Sequence, residues 1–245
     1  MAANNEWFSD WFDTTYYHTL YKNRDEDEAR FFIENLCKFL TINPNSSLLD
    51  LACGKGRHSI TLNELGHKVL GVDLSENSIS IARQTQRRGL HFEVHDMRKI
   101  IPGLSFDVIF NLFTSFGYFD SPDDNKRVIF SVANMLYDKG IFVIDFLNAE
   151  KVVANLVSEE EKNIDGIQFL IQRMVEGEHI YKKITVIDKN EVKKYVEKVQ
   201  LLKIGDFEKL LSPEFKILHT FGSFDLKEFD PLTSDRLIII AEKNA

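Results

Sequence analysis

The chain has little cysteine: two residues among 245, Cys37 and Cys53. Two thiols make neither a disulfide framework nor, by themselves, a metal cluster. Its seven histidines lack ligand spacing such as His-x-x-x-His with an acid, so no metal is expected. Among the longest apolar runs is 237–241, far below the roughly 18 residues that span a bilayer. Residues 1–7 carry no basic stretch leading into an apolar one, so no secretory signal is expected and the chain reads as soluble and cytoplasmic. Positive charge is also short. Thirty Lys and Arg face 38 Asp and Glu, a net of −8, which disfavours a broad grip on nucleic acid. Lysines crowd 182–203, but 151–215 holds 11 basic against 12 acidic residues, a solvated face of mixed sign. Repeats and low-complexity tracts are absent.

What is present is globular: 44% hydrophobic and 28% charged residues, at a length suited to one α/β domain with an insertion. Residues 25–40 place Phe31, Phe32, Leu36, Phe39 and Leu40 on one stripe behind an acidic first turn, which predicts an amphipathic helix. Strands and helices then alternate. Strands are predicted at 47–51, 68–72, 91–94, 107–110 and 141–146, and helices at 57–65, 75–88 and 121–137, with turns at Gly89 and Lys139-Gly140. Such alternation means right-handed βαβ units and a doubly wound, mostly parallel sheet. After Asn148 the pattern changes to three antiparallel strands, at 168–173, 181–187 and 191–201. A helix at 206–211 and strands at 215–220 and 236–241 complete a seven-stranded sheet. The expected organisation is N-terminal cap helices plus core over 1–154, a small antiparallel β insertion over 155–203, and the rest of the core over 204–245.

The first strand runs into Asp50-Leu51-Ala52-Cys53-Gly54-Lys55-Gly56, and a helix begins at once. Glycines at 54 and 56 allow a sharp bend and close approach to a ligand, and the helix start turns free N–H groups toward it. Seventeen residues beyond Gly56 the second strand ends in Asp73, placed to accept from ribose hydroxyls. A dinucleotide fold asks for a third glycine where Ser59 stands, and a pyrophosphate is poorly matched to Asp50 and to Asp96 after the third strand.

The block 48–59, with Asp73, Asp96 and Phe106-Asp107-Val108-Ile109-Phe110-Asn111, resembles the class I S-adenosylmethionine-dependent methyltransferases. The likeness is strong over 45–147 and weaker elsewhere. It implies a Rossmann-like fold and S-adenosylmethionine as cofactor, with S-adenosylhomocysteine as product. Carried over, Gly54, Gly56 and Ala52 would flank the methionine part, supported by Asp50. Asp73 would hold the ribose, Asp96, Met97 and Leu74 the adenine, and Asn111 would end strand four near the reactive methyl. Residues 111–119 and the insertion look similar to small-molecule methyltransferases with a β-sheet lid. No Asp/Asn-Pro-Pro-Tyr stands at Asn111, a departure from nucleic-acid adenine methylases.

Methyl transfer is an in-line displacement that alignment and desolvation can drive without a dedicated base. Tyr17, His18 and Tyr118 are the catalytic candidates. Tyr21 and Arg24 are further cofactor candidates, and Tyr16, Phe113, Ser115, Phe116 and Tyr118 are substrate candidates, placed by the N-terminal aromatic cluster and the loop after strand four. The expected partner is a small molecule, in a monomer or homodimer. Two other readings stand beside this one: a non-catalytic S-adenosylmethionine-binding module, and a dinucleotide-dependent oxidoreductase.

Overall fold

Short apolar strands, most of them followed by an amphipathic helix, set the architecture of the computed structural model, which describes residues 11–22, 26–189 and 191–244. A short helix α1 (Thr15–Leu20) and a long one α2 (Glu26–Leu40) precede the alternation β1 (Ser47–Leu51), α3 (Arg57–Glu64), β2 (Lys68–Asp73), α4 (Glu76–Ala82), β3 (Leu90–Val94), β4 (Phe106–Asn111), α5 (Pro122–Met135), β5 (Leu136–Leu147). Then come α6 (Ala149–Ala154), four strands β6 (Glu159–Ile164), β7 (Ile167–Glu176), β8 (His179–Asp188) and β9 (Glu191–Gln200), and finally α7 (Ile204–Leu211), β10 (Phe215–Phe221) and β11 (Arg236–Lys243).

The large sheet has seven strands in the order β10-β11-β5-β4-β1-β2-β3. Its first five sequential strands are parallel, and β11 lies antiparallel between β5 and β10. β1 therefore has β2 on one side and β4 on the other, and chain progression reverses there. Beyond the carboxyl ends of β1 and β4 such a sheet opens a crevice. Both faces are buried. One packs Leu49, Leu51, Ile109, Phe142, Ile144 and Ile239 against α5 and α7; the other packs Leu48, Val69, Phe110, Val143 and Ile238 against α2, α3 and α4.

Several elements depart from expectation. The helix begun by Ser75 ends at Ala82 rather than Arg88, followed by a 3-10 turn over Arg83–Thr85. Residues 83–88 are polar and offer no apolar stripe to bury, and the Arg83 Nε–H instead donates to the Phe92 carbonyl at 3.1 Å. In α2 the buried face is Ala29, Phe32, Ile33 and Leu36, whereas Phe31 and Phe39 are exposed. Phe39 meets Phe221 and His219 edge-on instead. The insertion has four antiparallel strands, not three. The added one, β6, reads Glu-Glu-Glu-Lys-Asn-Ile and shows no apolar alternation. It is an edge strand, where charge blunts pairing with other chains. Helix α6 was likewise not anticipated; Asn148 caps it by accepting from the Glu150 N–H.

The inner face of the small sheet is shared between two clusters: Val199 and Ile180 join the core of the large sheet, whereas Phe169, Ile171, Ile184 and Val186 form a cluster with Trp11, ahead of α1, and Leu20, at its end. The segment 11–22 thus lies between the insertion and the crevice.

Candidate active site

A cleft of about 500 Å³ opens over the carboxyl ends of β1, β2 and β4, a size typical of small-molecule sites. Ala52, Cys53 and Gly54 follow β1, Asp73 and Leu74 end β2, and Asp96, Met97 and Arg98 follow β3. Phe113, Thr114, Ser115 and Tyr118 follow β4, while Phe12, Tyr17, His18 and Tyr21, on and beside α1, cover the cleft.

The floor is a turn that apolar strands deliver and short polar groups fix. Ala52 and Gly54 both adopt left-handed backbone, with φ of 64° and 56°. The Gly54 N–H donates to Asp73 Oδ2 at 2.7 Å, and the Ser75 N–H to Oδ1 at 2.9 Å. Asp73 so ties the glycine turn to the end of β2 while lining the cleft. Burial pushes its carboxyl above the usual range, against the pull of those N–H donors. Asp50 lies one layer deeper and does not line the cleft. It is 1% exposed, accepts from the Ser59 hydroxyl at 2.5 Å, and is raised to about 6, first by burial, with the Asp73 charge adding to it. Gly56 does not line it either. A Cβ there would stand 2.5 Å from the Phe92 ring, so glycine lets α3 pack on β3.

Asp96 faces the cleft in a fork with Arg98, whose Nε and Nη2 donate at 3.0 and 2.8 Å. Burial favours its protonated form, but the Arg98 side chain and backbone N–H outweigh burial and hold the carboxyl below the usual range. Arg98 also reaches Asp124 at 3.2 Å and lies over the Phe119 ring. The loop after β4 is held by a buried acid. Asp145, at 0% exposure, accepts the Phe113 N–H at 2.8 Å and Arg236 Nε at 2.7 Å, and its carbonyl accepts the Thr114 N–H. Phe113 and Thr114 are left-handed there, which puts the Phe113 ring between Arg57 and Phe224.

Residues 42–200, more than half of the chain, match the family model described as a methyltransferase domain. The chain belongs to that family. A dTDP-4-amino-2,3,4,6-tetradeoxy-D-glucose N,N-dimethyltransferase of Saccharopolyspora spinosa is 36% identical over 100 residues, 40% of this chain and 39% of the relative. The chain spans about half the length of the curated relatives it matches. An S-adenosylmethionine-dependent methyltransferase from Clostridium acetobutylicum superposes with a TM-score of 0.79 at 22% identity, covering 94% of this chain and 96% of that one. The CcbJ methyltransferase of Streptomyces caelestis gives 0.79 at 15% identity, covering 99% and 100%. These likenesses establish the fold, the one expected from the sequence.

In the cleft the structure brings together Tyr17, His18, Tyr21, Ala52, Gly54, Asp73, Leu74, Asp96, Met97, Phe113, Ser115 and Tyr118. It does not bring five others to the cleft. Asp50 and Gly56 are the two already described. Asn111 is fully buried, donating to the Leu51 carbonyl at 3.0 Å, so it joins β4 to β1. Phe116 is core against Phe207. Tyr16 points to the insertion, its hydroxyl on Asp188 at 3.2 Å. Arg24 lies outside the described residues. Sequence reasoning missed Arg98, Glu197, His58 and Phe12 in the lining, and Asp145 behind it. Arg98, two residues beyond Asp96, and His58, two beyond Gly56, carried a local signal by their place beside the acids and the glycine turn; the others depend on long-range contact.

Proposed function

We propose that this chain transfers a methyl group from S-adenosylmethionine to a small-molecule acceptor. The observation that carries this reading is the acid-lined floor. Asp73 and Asp96 both face the cleft, and Asp50 lies close enough behind Asp73 to feel its charge. Hydroxyls, an amino group and an adenine amine can donate to such carboxylates, whereas the pyrophosphate of a dinucleotide would be repelled. The residues fit the nucleoside: Asp73 for the ribose, Asp96 and Met97 for the adenine, Ala52 and Gly54 for the methionine part. When bound, S-adenosylmethionine supplies an electrophilic methyl on a sulfonium.

The chain's own residues align and dry that methyl. Tyr21, Tyr17, Phe12 and Tyr118 form a chain of ring contacts, with successive centroids 4.9–5.2 Å apart, and they exclude water while offering ring faces to a cation. His18 is held neutral, lowered to about 4 by burial and then by Lys55, so it can serve as a neutral hydrogen-bonding group. The named relative that is an amino-sugar N,N-dimethyltransferase supports a small amine as acceptor. In this reading 155–203 is cover rather than cofactor site, and the protein works in the cytoplasm, away from nucleic acid, as its net charge of −8 supports.

A thermal scan tests the cofactor. At about 100 times Kd, S-adenosylhomocysteine should stabilise by roughly 2.7 kcal/mol, raising Tm by about 5–11 °C. A shift with NAD and none with either sulfur nucleoside would overturn the reading. Incubation with labelled S-adenosylmethionine and a panel of small amines, read as a one-methyl mass gain, tests the transfer.

A further inference from the structure

Among the described residues, the insertion sends a single side chain into the cleft: Glu197, from β9. Its surroundings are unusual for an acid on a small sheet. The Trp11 Nε1–H donates to Oε1 at 2.7 Å, and the Tyr21 hydroxyl donates to Oε1 at 2.8 Å and Oε2 at 3.0 Å. Lys182 sits 3.5 Å from Oε2, hydrogen-bonds the Tyr21 hydroxyl and lies 4.5 Å above the Tyr21 ring. The Glu197 side chain is only 12% exposed and Trp11 only 1%. A carboxylate so withdrawn from water is costly to leave without donors, so the grip is strong.

The partners of Glu197 lie 176 and 186 residues away in sequence, at the two ends of the segment 11–22. Near its start that segment is also fixed to the large sheet. Asp13 accepts from the Ser75 hydroxyl at 2.6 Å and from the Asn77 side chain at 2.7 Å, at the start of α4. Tyr17 and His18 between these anchors, and Tyr21 at the last of them, line the cleft; Trp11 does not.

We propose that Glu197 is a positioning residue: acting through Trp11 and Tyr21, it holds the 11–22 segment closed over the cofactor cleft. The insertion then governs cofactor retention indirectly, by fixing the cover rather than by meeting the ligand. The ligand probe rests on the functional reading above, whereas the position of Trp11 does not.

The test starts from a Trp7→Phe background, in which Trp11 is the remaining tryptophan. Glu197→Leu should shift Trp11 emission to the red, open it to acrylamide, and raise the Kd for S-adenosylhomocysteine about tenfold. Glu197→Gln keeps a carbonyl oxygen for both donors and should restore both readouts to within about threefold. Should the leucine variant fail to fold, Trp11→Phe removes one donor without touching a cleft residue, and should still weaken S-adenosylhomocysteine about threefold or more. Unchanged Trp11 burial with unchanged affinity in Glu197→Leu would overturn the proposal. So would an unchanged affinity in Glu197→Gln accompanied by a raised acceptor KM, since that marks direct acceptor contact. If the unmutated protein binds no S-adenosylhomocysteine, the functional reading fails, and Trp11 exposure alone still decides whether Glu197 holds the segment.

Discussion

The floor and the cover of the cleft are built on different principles. The floor is backbone and short acids, delivered by parallel strands whose residues on both faces are buried; Gly54, Asp73 and Asp96 need only small loops to reach it. The cover consists of long aromatic side chains on a short helix, ordered by contacts with strands 150 and more residues away in sequence. A floor of this kind is rigid because the sheet is. A cover of this kind is as stable as a few tertiary contacts make it, which suits a part that must open for ligand exchange.

Cutting the two apart gives the largest effect. Replacing 159–200 with a short Gly/Ser linker should abolish turnover and expose Trp11, while S-adenosylhomocysteine still binds within about tenfold, that loss being the one assigned to Glu197. Full turnover in the truncated protein would erase the distinction between floor and cover. On the floor itself, Asp73→Ala should raise the cofactor Kd at least about tenfold, because it removes a charged acceptor that also holds the Gly54 N–H; calorimetry decides. Gly56→Ala should act on stability rather than affinity. At φ +86° its Cβ meets the buried Phe92 ring, a cost of about 1–3 kcal/mol, seen as a lowered Tm with little change in Kd. Asp96→Ala should weaken binding by about threefold, less than Asp73→Ala, since packing around the adenine survives.

The smallest effect lies in the cover. His18 is lowered from 6.5 to about 4 by burial first, then by Lys55, with Asp13 opposing. Since its folded pKa is below the unfolded one, the unfolded chain binds the proton first. The contribution is therefore complete above pH 6.5 and is lost as pH falls toward 4. Between pH 7 and pH 5 the Tm of His18→Gln should fall less than that of the unmutated protein. Asp50, raised to about 6, runs the opposite way as pH rises from 3.8, so the comparison must be made between variants rather than on one curve.

The sequence by itself determined the seven-stranded sheet, its strand boundaries to within a residue or two at β1, β2 and β4, and the acids on the floor. These follow from local rules: an apolar run is a buried strand, a glycine turn joins it to a helix, and the carboxyl ends of parallel strands border the crevice. Only the tertiary structure decided the rest. Asn111 and Phe116 look like neighbours of a ligand by position, yet each faces inward, and no local pattern says which way a residue turns at the end of a strand or in the loop after it. Asp145 sits inside an apolar strand and carries no mark of holding Phe113 and Thr114 until Arg236 arrives beside it from β11. Glu197 is one charge among many in a mixed-sign insertion. What singles it out is the convergence of Trp11, Tyr21 and Lys182, three donors that the chain brings together only by folding.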